Sequence, residues 1–124
     1  MNPIDAIPHR PPIRCVERML EASPDHCVAE GRAHDAWEPW IIEALAQTAA
    51  LLNVDAFGAT GRGMLVQVRR FDIVRTPIAG ELLHLRMDII LRLPPVHLFR
   101  GEARDAQGEL IAQGELKFYV EPGE

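Results

Sequence analysis

Glu38-Pro39-Trp40-Ile41-Ile42-Glu43-Ala44-Leu45-Ala46-Gln47-Thr48-Ala49-Ala50-Leu51-Leu52 decides how the rest of the chain must be arranged. It reads as one helix, with Asp35 or Glu38 able to cap it and Pro39 suited to its first turn. Trp40, Ile41, Ile42, Leu45, Ala46, Ala49, Ala50, Leu51 and Leu52 leave no wide polar face. A surface helix carries one apolar stripe, whereas a helix apolar all round must be enclosed. At about 15 to 18 residues, and broken by Glu43, Gln47 and Asn53, it is too interrupted for a membrane span. Glu43 and Gln47 are four residues apart and therefore on one line along the helix. An unpartnered buried carboxylate is costly, so Glu43 is the first candidate for chemistry.

The flanking segments supply the wrapping. Four prolines within residues 1–12 predict an extended lead-in. A first strand is expected over Ile13 to Glu21, then a turn at Ser23-Pro24-Asp25 and a second strand over Cys27 to His34. The second strand puts Ala29, Gly31 and Ala33 on one face, small enough to lie against the helix. Beyond the helix, Gly58, Gly61 and Gly63 mark a loop. Four more strands follow, over Met64 to Asp72, Glu81 to Leu93, His97 to Asp105 and Glu109 to Glu121, separated by turn signals. Two strands, one buried helix and four antiparallel strands predict an α+β domain, with about six strands wrapped round the helix.

Composition narrows the function. The 124 residues are expected to form a single domain, residues 1–124, and 48% hydrophobic content suffices for a core. A net charge of −5 argues against nucleic-acid binding held by phosphate contacts. No charged leader and no long apolar run is apparent, so we expect a cytoplasmic protein away from membranes, with Cys15 and Cys27 reduced. No His, Cys, Asp or Glu cluster has ligand spacing, so neither metal nor cofactor is expected.

Five motifs in order resemble the 3-hydroxyacyl-acyl-carrier-protein dehydratases of the FabZ and FabA type. Ile7-Pro8-His9-Arg10-Pro11-Pro12 resembles their "LPHRxP" opening, and Arg14 to Glu21 resembles the "LLVDRVLE" strand. Ile42-Glu43-Ala44-Leu45-Ala46-Gln47 resembles the "(V/I)EAMAQ" helix, Arg69-Arg70-Phe71 stands in the "kFrrpV" strand, and Pro77-Ile78-Ala79-Gly80-Glu81-Leu82 matches "PVxPGDxL". The resemblance covers almost the whole chain. It implies a hot-dog fold, a dimer with sites between subunits, and dehydration of a 3-hydroxyacyl thioester on acyl-carrier protein or coenzyme A, in fatty-acid, polyketide or aryl-polyene synthesis. Glu43 would be the acid that protonates the leaving hydroxyl, and Gln47 would help to hold that group. Trp40 would narrow the tunnel mouth, while Arg69 and Arg70 would meet the pantetheine phosphate or an acidic carrier.

One departure stands out. The family's catalytic His lies in a "GHFPGxPxxPG" loop about 14 residues before the acid, and here that count reaches Ala29. Only eight residues, Asp35 to Ile42, separate His34 from Glu43, and none is Gly. His34 is the nearest substitute base. Two other readings stay open: a hot-dog acyl thioesterase, or a non-catalytic subunit that binds acyl or carrier groups beside a complete dehydratase as a heterodimer. Glu43 also has a structural reading, as the partner of a sheet arginine such as Arg69 or Arg70.

Overall fold

The long helix is present and the sheet closes on it. A computed structural model describes residues 15–34, 37–56 and 62–121, without the side chains of 37–39, 50–56, 62–64 and 120–121. The proline-rich lead-in with His9, the start of the expected first strand at Ile13 and Arg14, the Asp35 cap and the loop with Gly58 and Gly61 lie outside the described residues. So do the side chains of Glu38 and Pro39.

The elements are β1 (Arg18–Ala22), β2 (His26–Arg32), α1 (Trp37–Ala56), β3 (Arg62–Ile73), β4 (Leu82–Leu93), β5 (Val96–Arg104) and β6 (Leu110–Glu121). They form one six-stranded sheet in the order β1-β2-β4-β5-β6-β3, antiparallel at every pairing. This is the α+β hot-dog layout, with the one helix of the described residues packed against the six-stranded sheet.

Alternation along the strands sorts side chains between helix and solvent. On β2, Cys27, Ala29 and Gly31 are buried, while Val28 and Glu30 are half-buried and Arg32 is exposed. Leu83, Leu85 and Met87 on β4, Phe99 on β5, and Ala112 and Leu116 on β6 complete the inner face. From the helix, Ile41, Ala44, Leu45 and Ala49 meet them with no exposed surface. Each large side chain buried in this way contributes about 1.5–3 kcal/mol. Close approach depends on Gly101, where a Cβ would come within 2.7 Å of the Met87 sulfur and 3.1 Å of Leu45 Cδ1.

Several boundaries differ from expectation. The helix runs to Ala56, and Gly63 belongs to β3 rather than to the loop. β1 begins at Arg18, because Cys15 to Glu17 have left the regular ladder; only the Glu17 N–H still reaches the Glu30 carbonyl, at 2.8 Å. β2 ends at Arg32. Ala33 is then held by the turn before β4, its N–H on the Glu81 carbonyl at 2.9 Å and its carbonyl on the Gly80 N–H at 2.7 Å. These bonds fix the point where the chain turns from the sheet towards α1.

Candidate functional site

The site begins with which part of α1 the sheet leaves uncovered. Residues 41, 44, 45, 48 and 49 fall on one side and are fully buried. Ile42, Glu43 and Ala46 are half-buried and adjacent on the opposite side, by their spacing of three and four. A carboxyl therefore stands at the edge of a half-open apolar strip on a helix whose other described side chains are buried.

Gln47 holds that carboxyl. Its Nε2 donates to Glu43 Oε1 at 3.0 Å, and its Oε1 accepts the main-chain N–H of Cys15 at 2.7 Å. Gln47 is 2% exposed. The two bonds define the amide orientation, since the reverse would set an NH2 group against an N–H and the amide oxygen against a carboxylate. The pairing of Glu43 with Gln47 expected from their spacing is present.

Next to this pair lies the Cys15 thiol, pushed up to about 11 by burial and, secondarily, by the Glu43 charge. The thiol is thus protonated at neutral pH and unsuited to act as a base. Cys27, in the sheet core, is pushed up to about 11 by burial alone. Neither cysteine is in a disulfide.

The other expected residues are dispersed. His34 is exposed, two residues past the end of β2 and on the parity of that strand's outward side chains. Trp40 is 9% exposed and belongs to the core cluster. Arg69 and Arg70 sit on β3 at a bulge opposite β6 and reach the Glu115 carboxylate at 3.7 and 3.9 Å. Arg70 adopts φ 48°, in the left-handed region, with a side chain that is 77% exposed. Among the described residues no group of three or more His, Cys, Asp or Glu could hold a metal ion, and no helix is long and apolar enough to cross a membrane.

Two features were missed in the sequence. The main-chain contact from Cys15 to Gln47 spans 32 positions and has no motif. The second is an ion cluster at the turn preceding β4. Arg75 donates to both Glu81 oxygens at 3.1 and 2.6 Å and to Asp105 at 3.1 Å, while Glu81 also accepts the Ile78 N–H at 3.1 Å. Its signal was the charged residue closing the Pro77-to-Glu81 motif.

No protein-family profile matches the chain. Curated relatives do. A 3-hydroxyacyl-[acyl-carrier-protein] dehydratase FabZ from Streptococcus uberis is 31% identical over 134 aligned positions, covering 94% of this chain and 93% of that protein. The FabZ of Rhizorhabdus wittichii is 33% identical, covering 79% of this chain and 74% of its own length. Among solved structures, the dehydratase heterocomplex ApeI:P from Xenorhabdus doucetiae superposes with a TM-score of 0.77 at 20% identity, covering 96% of this chain and 90% of that one. A hypothetical thioesterase with coenzyme A from Streptococcus pneumoniae gives 0.73 at 8% identity, covering 86% and 87%. At such identities the two structures speak for the hot-dog fold alone.

Proposed function

The chain belongs to the FabZ family of 3-hydroxyacyl-[acyl-carrier-protein] dehydratases, and from that premise we propose that Glu43 is the acid of a 3-hydroxyacyl-thioester dehydratase. The observation that carries this reading is the Glu43 carboxyl, held by Gln47 at the margin of the half-open strip formed by Ile42 and Ala46. An acyl chain lying on that strip would bring its 3-hydroxyl to the carboxyl. Departure of the hydroxyl with the Glu43 proton, as a base removes the proton alpha to the thioester carbonyl, leaves a 2-enoyl thioester and water. The start of α1 would offer main-chain N–H groups to the thioester oxygen as charge grows there. Trp40 would act through packing at the strip's end, and Arg69 and Arg70 would meet the phosphate of the pantetheine arm or an acidic carrier.

The base is the open place in this scheme. His34, exposed and on the outward parity of β2, could serve if a second subunit brings its ring to the strip. We therefore propose a dimer, either of two copies or with a complete dehydratase that supplies its own His. The second form is favoured by the short segment between His34 and Glu43, which has no room for the family's His loop, and the ApeI:P heterocomplex offers a precedent for paired dehydratase subunits. A cytoplasmic setting, in which both thiols remain reduced, belongs to the same proposal.

The test is incubation of the purified protein with 3-hydroxyacyl thioesters on carrier protein and on coenzyme A, followed by mass spectrometry, with Glu43→Gln and His34→Ala alongside. Water loss from the intact thioester that vanishes in Glu43→Gln supports the acid assignment, and its loss in His34→Ala would identify the base. Release of free acid would instead make the protein a thioesterase. Thioester binding without product would leave the partner-subunit reading.

A further inference from the structure

Cys15 is held on both sides by its main chain. On one side lies Gly31 of β2, where a Cβ would stand 2.3 Å from the Cys15 carbonyl oxygen and 3.4 Å from its carbon. No side chain fits there unless the Cys15 peptide moves. On the other side the Cys15 N–H meets Gln47 Oε1 at 2.7 Å. With its oxygen so committed, the Gln47 amide turns its NH2 to Glu43 Oε1. The acid's own proton is thereby assigned to Oε2, because Oε1 already faces an N–H. Gln47 is 2% exposed, and its oxygen and nitrogen each hold a protein group, a poor arrangement for a direct substrate ligand.

We propose that the Cys15 peptide, gripped between Gly31 and Gln47, sets the direction of the Glu43 carboxyl, so that Gly31 and Gln47 are positioning residues of the acid. The proposal rests on the reading of Glu43 as the acid. It makes the path of the chain ahead of β1 part of the site, although none of residues 15–17 needs to touch substrate. It also gives the small-residue face of β2 a purpose beyond packing: Ala29 admits the core, whereas Gly31 admits a peptide.

The test compares wild type with Gln47→Leu, Gln47→Glu and Gly31→Ala, measuring dehydration kinetics together with hydrogen exchange of the Cys15 amide by NMR. In Gln47→Leu and Gly31→Ala the Cys15 amide should exchange faster by on the order of tenfold or more, and kcat should fall by a comparable factor with KM little changed. Gln47→Glu retains an acceptor, so exchange at Cys15 should stay slow. Its new carboxyl must share a proton with Glu43, which moves the alkaline limb of the pH–rate profile upward. Unchanged exchange and kcat in Gly31→Ala would overturn the proposal, as would lost protection with undiminished kcat in Gln47→Leu. Should Gly31→Ala fail to fold, the split in Gln47→Glu decides: slow exchange with an unshifted profile refutes the grip. Absence of Glu43-dependent turnover in wild type, both alone and with a complete dehydratase subunit added, would refute the acid reading instead. The Gln47 side-chain NH2 signals would then judge the grip alone, since they must lose their distinct environment in Gly31→Ala if it is real.

Discussion

At the scale of single residues, the Cys15 thiol is a built-in reporter of the Glu43 charge. Both cysteines are pushed from 9.0 up to about 11, Cys27 by burial alone and Cys15 by burial first and the Glu43 carboxylate second. Glu43→Gln keeps the shape and removes the charge. The Cys15 titration should then move down while that of Cys27 stays, as read from the Cβ chemical shift of each cysteine against pH. Equal behaviour of the two thiols would place the Glu43 carboxyl away from Cys15. The sign for stability follows from the raised values. A thiol whose folded pKa exceeds its unfolded one contributes stability that is complete below pH 9.0 and lost as pH rises through about 11. The pairing of Glu43 with Gln47 was legible in the sequence because it is a local consequence of helical spacing. The Cys15 contact was not, since its partner lies on another element and is met through a peptide that carries no residue-specific signal.

At the scale of elements, the turn before β4 and the end of β5 are joined by Arg75, and the joint is sensitive to acid. Hydrogen bonding from Arg75 holds the Glu81 carboxyl below the ordinary carboxylate range. The Glu109 N–H, then Arg75 and the Gln107 N–H, do the same for Asp105. Depressed carboxyls stabilise above their unfolded pKa, about 4, and lose that contribution as pH falls through the folded value. Arg75→Met should therefore lower the urea midpoint near neutral pH by more than at a pH below the folded values of both carboxyls, where their depression contributes nothing. A deficit of equal size at both pH values would mean that Arg75 acts by packing. The bulge on β3 gives a second test. Arg70→Gly relieves a left-handed backbone and should raise stability by up to about 1 kcal/mol in urea titration, less the entropy that glycine adds to the unfolded chain. Arg70→Ala keeps the backbone cost and should bring no gain. Both remove the cation, so a phosphate-binding role would raise KM in each. The element pattern was legible from alternation and helical period. Bulges, and the departure of residues 15–17 from the ladder, were not, because each is settled by what the neighbouring strand or helix requires.

At the scale of the whole molecule, β3 ends the sheet with Val66 51% and Val68 38% exposed, an apolar edge of the kind that proteins either cover or charge. The helix strip beside Glu43 is also half-open, and the short segment between His34 and Glu43 has no room for the family's His loop. Both point to a second subunit. We expect a dimer, of twice 13.9 kDa if homomeric, by light scattering, and Val66→Lys with Val68→Lys should shift it to monomer while the isolated fold remains intact. If the base comes from a second copy, the monomeric variant should lose turnover and His34→Ala should lose it without dissociating. If a complete dehydratase supplies the base, the wild-type protein alone should be inactive and regain Glu43-dependent dehydration when that subunit is added, and the lysine pair should block the recovery. A double lysine variant that stays dimeric would exclude β3 as the joint. A monomeric one that turns over at the wild-type rate would show that the site is complete within one chain, and the base would then have to be sought among that chain's own side chains.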